Sequence, residues 1–286
     1  MNYLKHFGLR ELPFGITPDT SYFFACRSIQ EALNTLLIAV GNGEGFIKIT
    51  GEVGTGKTLL CRKFLSTLGP GWVSAYIPNP NLEPRVMVLA LAEELGLTGE
   101  FIEPHRIEKE LMQRLLGLAR QGKRVVLCMD ETQAMPLATL ETVRLLTNLE
   151  TEKRKLMQVV LFGQPELDRK LASESVRQLR QRITFQYTLK ALARHEVSDY
   201  VAHRLTIAGY SGPALFADGA LRAVHVASRG VPRLVNILAH KALLLVYGEG
   251  GWSIERRHMR AARLDTPAAV QPRVWWPWSR ALASSK

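Results

Sequence analysis

Eight residues, Gly51-Glu52-Val53-Gly54-Thr55-Gly56-Lys57-Thr58, constrain this chain more than any other feature, because of what flanks them. They follow the apolar run Phe46-Ile47-Lys48-Ile49-Thr50 and precede a helix-periodic stretch from Leu59 to Leu68. A G-x-x-x-x-G-K-[ST] element between a strand and a helix lets the backbone curl so that successive N–H groups face phosphate oxygens. The helix N-terminus adds its partial positive charge. In that setting Lys57 reaches the terminal phosphates and Thr58 ligates Mg2+, so the phosphate-binding set is Gly51, Glu52, Val53, Gly54, Thr55, Gly56, Lys57, Thr58 and Leu59.

Such a loop belongs on a parallel sheet, and the rest of the chain supplies the strands. Short apolar runs recur at Trp72 to Ile77, Val125 to Met129, Val159 to Phe162 and Ile183 to Leu189. Amphipathic stretches separate them, the pattern of an α/β fold with five parallel strands flanked by helices. Ile29, Ala32, Leu33, Leu36, Leu37 and Val40 share one helical face, behind a capping box of Ser28 and Glu31. Pro84 and Pro136 open the helices that run through Leu95 and Leu149.

The run Val125 to Met129 ends in Asp130-Glu131, as a strand beside the loop's strand would provide. Asp130 there holds Mg2+ with Thr58, and Glu131 deprotonates the attacking water. From about Ala191 every apolar spacing is helical, through Tyr200, Val201 and Leu205, then Leu221, Val224 and Val226, then Leu234 to Val246. The chain therefore divides into an α/β nucleotide-binding domain over 1–190, a small all-helical lid over 191–265, and a tail over 266–286.

Composition bounds the remaining choices. With 47% hydrophobic and 22% charged residues the chain is neither disordered nor a coiled coil. Its three cysteines have no paired spacing that indicates zinc or a disulfide framework, and scattered histidines show no ligand spacing. No signal peptide and no span of about 18 uncharged apolar residues is present, so a cytoplasmic location is expected.

These elements together resemble an AAA+ ATPase, and more narrowly the general secretion pathway protein A and mannose-sensitive haemagglutinin (MSHA) pilus biogenesis group. The narrower markers are Phe7-Gly8-Leu9, Pro13-Phe14, Thr17-Pro18-Asp19, Asp130-Glu131-Thr132-Gln133, Leu145 to Glu150, Phe162 to Leu167, Leu179-Arg180-Gln181-Arg182 and Gly230-Val231-Pro232-Arg233. The resemblance implies that Gln164 stands at the sensor position that orients the lytic water. It implies that Arg182, with Arg180 and Arg177 as competitors, is the arginine finger offered to a neighbouring subunit, and that Arg233 senses the γ-phosphate from the lid. Asn79 reads either as the polar switch of related ATPases or as turn chemistry with Pro80.

The resemblance further implies ATP and Mg2+ as ligands, a homo-oligomer with nucleotide at its interfaces, and membrane pilus or secretion assembly components as partners. The expected activity is ATP hydrolysis energising assembly of a type IV (MSHA-like) pilus or type II secretion apparatus at the inner membrane. An alternative is a nucleic-acid-binding ATPase of the transposition target-selection type, which the net charge of +11 also suits. Residues 252–286 hold seven basic and two acidic side chains, +5 of that total, around Trp275, Trp276 and Trp278. That segment reads as an interfacial membrane anchor, a docking peptide, or the residue of a lost extension.

Overall fold

The computed structural model describes residues 3–97, 104–148, 150–151 and 154–271. One sheet contains β1 (Phe46–Gly51), β2 (Trp72–Ile77), β3 (Arg124–Met129), β6 (Met157–Gly163) and β7 (Ile183–Leu189) in the order β2-β3-β6-β1-β7. All neighbours are parallel. β4 (Glu150–Thr151) and β5 (Arg154–Lys155) form a separate two-residue antiparallel ribbon. Parallel neighbours need crossover connections, which put helices on the faces of the sheet and make central strands apolar throughout. β6 has all seven residues buried and one polar side chain, Gln158, whose Nε2 donates to Val40 O at 3.0 Å, whereas the edge strand β7 buries only Leu189.

The helices of this part are α2 (Arg27–Gly41), α3 (Lys57–Thr67), α4 (Pro84–Glu94), α5 (Pro104–Arg120), α6 (Leu137–Leu146), α7 (Glu166–Leu171) and α8 (Arg177–Arg182). The short α1 (Tyr3–His6) precedes them. Leu91, Leu111, Leu115, Leu127, Leu140 and Leu161 interlock in a single core. Each fully buried leucine is worth roughly 1.5–3 kcal/mol of transfer free energy, so this layer fixes where the strand ends lie. Pro84 occupies the first turn of α4, as its missing N–H allows. Pro136 is the N-cap of α6, which ends at Leu146.

The expected capping box at α2 is absent. The helix begins one residue before Ser28, at Arg27, with Cys26 as N-cap and no side-chain capping bond. Ser28 Oγ instead accepts the Lys190 N–H at 2.9 Å, and Glu31 accepts from Arg27 and from the Tyr187 hydroxyl. A tertiary partner thus took the hydroxyl that local pattern assigned to the cap.

The second compact unit joins residues up to Ile16 with those from Leu192 onward, whereas the first spans Thr17–Ala191. It contains α9 (Arg194–Ile207), α10 (Asp218–Ser228), α11 (Pro232–Gly248) and α12 (Arg256–Leu264), together with α1. By apolar pattern alone residues 1–16 group with the sheet. Buried polar groups explain the difference, because Arg204 Nε donates to Pro13 O at 2.5 Å and Asn236 Nδ2 donates to Gly15 O at 3.0 Å. Both side chains are 5% exposed and need those carbonyls.

Val226 was expected among the apolar positions of its helix, yet it is 57% exposed. The buried stripe of α10 runs Ala220, Val224, Ala227, which turns Val226 outward. Thr266 and Ala269, placed in the tail by pattern, are buried, and Val270 N donates to Ala227 O at 3.0 Å. The three tail tryptophans lie outside the described residues.

Candidate functional site

Strand β1 delivers the phosphate loop at its C-terminal end, where ligands bind in open α/β sheets. Gly54 and Gly56 have φ of 82° and 99°, a left-handed backbone that side chains rarely adopt. Gly56 is the N-cap of α3 and supplies no capping side chain, so the first-turn N–H groups are left for a ligand. Among the described residues, the amides of Gly54 and Gly56 find no acceptor in the chain. Thr55 Oγ1 closes the loop by donating to Glu52 O at 2.8 Å.

Lys57 is 4% exposed, and its Nζ donates to Gly51 O at 2.8 Å and Glu52 O at 3.0 Å. Burial holds the ammonium below its ordinary pKa, against the pull of Glu131 and Asp130. Thr58 Oγ1 donates to Asp130 Oδ2 at 2.5 Å. Burial raises Asp130 above the ordinary carboxylate value, while the bonds from Thr58 and from the Glu131 amide oppose it. Leu59 lies half-buried in the first turn of α3.

Glu131 adopts φ 49°, ψ 36°, which costs a non-glycine residue roughly 1–2 kcal/mol and is the kind of strain that clusters at functional sites. Its amide donates to Asp130 Oδ1 at 2.9 Å. Its Oε2 accepts from Gln133 Nε2 at 2.5 Å and from Gln164 Nε2 at 2.9 Å. Gln133 Oε1 accepts the Gln164 amide at 3.0 Å, and Lys170 Nζ, on α7, donates to Gln133 O and Met135 O at 2.5 and 2.6 Å. The structure therefore brings Lys57, Thr58, Asp130, Glu131 and Gln164 together at the ends of β1, β3 and β6. Gln133 and Lys170 were given no role by sequence reasoning; the signal available was a polar residue two positions after the acid pair. Asn79 makes the turn contact instead, accepting the Asn81 amide at 3.3 Å.

The candidate arginines separate. Arg182 Nη1 donates at 3.3 Å to both Arg144 O and Thr147 Oγ1, at the end of α6 of its own chain. Arg177 pairs with exposed Glu174 at 3.9 Å. Arg180 is exposed, lines a small cleft with Lys48, Asp168 and Gln186, and has no ion-pair partner among the described residues. Arg233 is exposed in the first turn of α11, in the other compact unit.

The residues present fit a nucleotide with Mg2+. Among the described residues no group of three or more His, Cys, Asp or Glu side chains is arranged to hold a metal. A hydroxyl and one carboxylate suit a Mg2+ that takes its other ligands from phosphates and water. Behind the loop, Cys61 on α3 and Cys128 on β3 are fully buried, and their mutual hydrogen bond, then burial, pushes the Cys61 thiol well up. They are packing residues beneath the site.

Residues 40–171 match the family model described as "AAA domain". A General secretion pathway protein A from Aeromonas hydrophila is 38% identical over 274 residues, covering 96% of this chain and 50% of that protein. The chain thus spans about half the length of the curated relative it matches. Among solved structures, the Aeropyrum pernix ORC2 protein in its ADPNP–ADP complexes is 16% identical with a TM-score of 0.65, covering 90% of this chain and 73% of that one. Cdc6p from Pyrobaculum aerophilum is 16% identical with a TM-score of 0.65, at 85% and 70% coverage. The Thermotoga maritima RuvB Holliday junction branch migration motor is 15% identical with a TM-score of 0.55, at 89% and 73% coverage. At such identities the structural likeness is one of fold.

Proposed function

Residues 40–171 match an AAA-domain family model and the chain is related to General secretion pathway protein A, and from that premise we propose that it is an AAA-domain ATPase that binds ATP with Mg2+ and hydrolyses it. The observation that carries this reading is the convergence of Lys57, the Thr58–Asp130 pair and Glu131 at one end of the sheet. The loop amides and Lys57 hold the phosphates, with Lys57 exchanging its bonds to Gly51 and Glu52 for phosphate oxygens. Thr58 and Asp130 would hold the metal, which when bound offsets phosphate charge. Glu131 takes the proton of the attacking water, and Gln164 beside it orients that water. Glu131→Gln should retain ATP binding and lose turnover; undiminished turnover removes Glu131 from the base role.

The finer reading is a homo-oligomer in which an arginine of one subunit completes its neighbour's site, and in which the helical unit acts as a lid with Arg233 sensing nucleotide. Its work would be energising a type IV pilus or type II secretion assembly, from the cytoplasmic side and peripheral to the inner membrane. The relative's name supports the secretion assignment. No helix among the described residues is long and apolar enough to cross a membrane.

One observation bears on whether the partner is an anionic membrane surface or, in the alternative reading, DNA. A cleft of about 810 Å3 in the helical unit is lined by Arg222, Arg256, Arg257, Arg260 and Arg263. Among the described residues no carboxylate pairs with Arg222, Arg256 or Arg260, so the cleft favours an anionic partner.

A further inference from the structure

Glu131 has two carboxylate oxygens, and the chain uses them unequally. Both side-chain amides, from Gln133 at 2.5 Å and Gln164 at 2.9 Å, reach Oε2. Among the described residues, Oε1 receives no hydrogen bond. Two donors on one oxygen fix the plane of a carboxylate that a long side chain would otherwise let rotate. The Gln133 amide makes two contacts at once, because its Oε1 also accepts the Gln164 backbone N–H at 3.0 Å. Its own backbone is pinned by Lys170, whose ammonium donates to the carbonyls of Gln133 and Met135. At Gly163, just before Gln164, a Cβ would lie 3.3 Å from Gln133 Oε1 and 2.7 Å from Leu167 Cδ2, so the glycine admits the Gln133 side chain close to the strand end.

We propose that Gln133 is a positioning residue for hydrolysis: it ties Oε2 of Glu131 to the Gln164 turn and leaves Oε1 as the oxygen that accepts the proton of the attacking water. The inference rests on the reading of Glu131 as the base. Gln133 touches neither nucleotide nor water in this scheme and acts through Glu131. Its loss therefore slows the proton-transfer step and spares nucleotide affinity.

The test compares steady-state turnover, KM for ATP and binding of a fluorescent ATP analogue in wild type, Gln133→Leu, Gln133→Glu and Glu131→Gln. Gln133→Leu should lower kcat by about tenfold to a hundredfold while KM and analogue affinity stay within about twofold. Gln133→Glu keeps the size but replaces a donor with an acceptor facing Glu131. It should lose at least as much, and it guards against a folding defect in the leucine variant, which thermal melting detects. A Gln133→Leu, Gln164→Leu double variant should fall by less than the product of the single effects, since both amides serve one oxygen. Unchanged or increased kcat in Gln133→Leu overturns the proposal, as does a loss of analogue binding in a variant that melts like wild type. If Glu131→Gln hydrolyses ATP normally, the base assignment itself fails. If Glu131→Gln is inactive while Gln133→Leu is normal, only the positioning role fails.

Discussion

Thr58 and Asp130 are joined by a 2.5 Å hydrogen bond that runs from the first turn of α3 to the end of β3, past the intervening strand β6. The bond forms because burial leaves Asp130 with few other ways to satisfy an ionised carboxylate, and burial raises its pKa all the same. A folded-state value above the unfolded one means that folding favours the protonated acid. Without nucleotide, stability is therefore lost as pH rises through Asp130's raised range, and the contribution is complete only below the unfolded value. Metal binding needs the carboxylate, so the Mg2+-dependent part of ATP affinity should weaken as pH falls through that same range, above the ordinary carboxylate value. Asp130→Asn should remove this pH dependence along with most of the Mg2+ effect, measured by titrating ATP with and without Mg2+ across pH. An unchanged profile in the variant would mean that another group holds the metal.

Arg182 and Arg180 should behave differently on substitution. Arg182 is held by Arg144 O and Thr147 Oγ1, both at 3.3 Å, so Arg182→Ala should destabilise by about 0.5–1 kcal/mol through two long hydrogen bonds. Arg180 is exposed and, unlike Arg182, is not tied to α6 of its own chain, which makes it the better candidate for the arginine offered to a neighbouring subunit. Arg180→Ala should therefore leave the melting temperature unchanged and lower turnover only in the assembled state. Mixing Arg180→Ala with Lys57→Ala protein should then recover activity, because some interfaces combine an intact loop with an intact arginine. Recovery from Arg182→Ala but not from Arg180→Ala would reverse the assignment.

Much of this site was legible in the sequence because its residues act through local backbone geometry. The phosphate loop must have glycine where φ is positive, and the acid pair must end a buried strand, so both announce themselves as strings. The five strands were readable for the same reason, as apolar runs of parallel-sheet type. Gln133 was not readable, since its contacts to Glu131 and Gln164 depend on how β3 and β6 are registered. Ser28 misled, because a hydroxyl at a helix start has the same signature whether it caps the helix or accepts a distant amide such as Lys190 N. The N-terminal sixteen residues grouped with the helices because Arg204 and Asn236 need their carbonyls, a tertiary demand that periodicity does not carry.

Gly230 enters the sequence pattern only within the run Gly230-Val231-Pro232-Arg233, yet it is the most exacting glycine in the helical unit. Its φ is +74°, and a Cβ there would lie 2.0 Å from Leu192 O, a backbone atom that cannot swing away. The close approach lets Gly230 O accept the Leu192 amide at 2.9 Å. Gly230→Ala should therefore destabilise by about 3 kcal/mol or more, combining left-handed strain with overpacking. Chemical denaturation of the variant checks this. A loss of less than about 1 kcal/mol would mean that the turn relaxes and that the contact is not a constraint.

The arginine cleft decides between the two classes of partner. Its walls include half-exposed apolar groups as well as charge, with Val226 at 57% and Leu264 at 60% exposure beside Arg222, Arg256 and Arg260. A bare phosphodiester backbone has no use for that apolar surface, whereas an anionic lipid interface presents headgroup charge and hydrocarbon together. Anionic phospholipid vesicles should therefore bind the protein and raise ATP turnover, and Arg256→Ser with Arg260→Ser should weaken vesicle binding while leaving basal turnover intact. Removing residues 272–286 tests the tryptophan segment separately. The cut belongs after Gln271, because Thr266 and Ala269 are buried in the helical unit and Val270 bonds to Ala227. Duplex DNA should leave turnover unchanged. If DNA instead stimulates hydrolysis with a steep salt dependence that the same two substitutions reduce by about two counterions, while vesicles do nothing, the secretion reading yields to the nucleic-acid one.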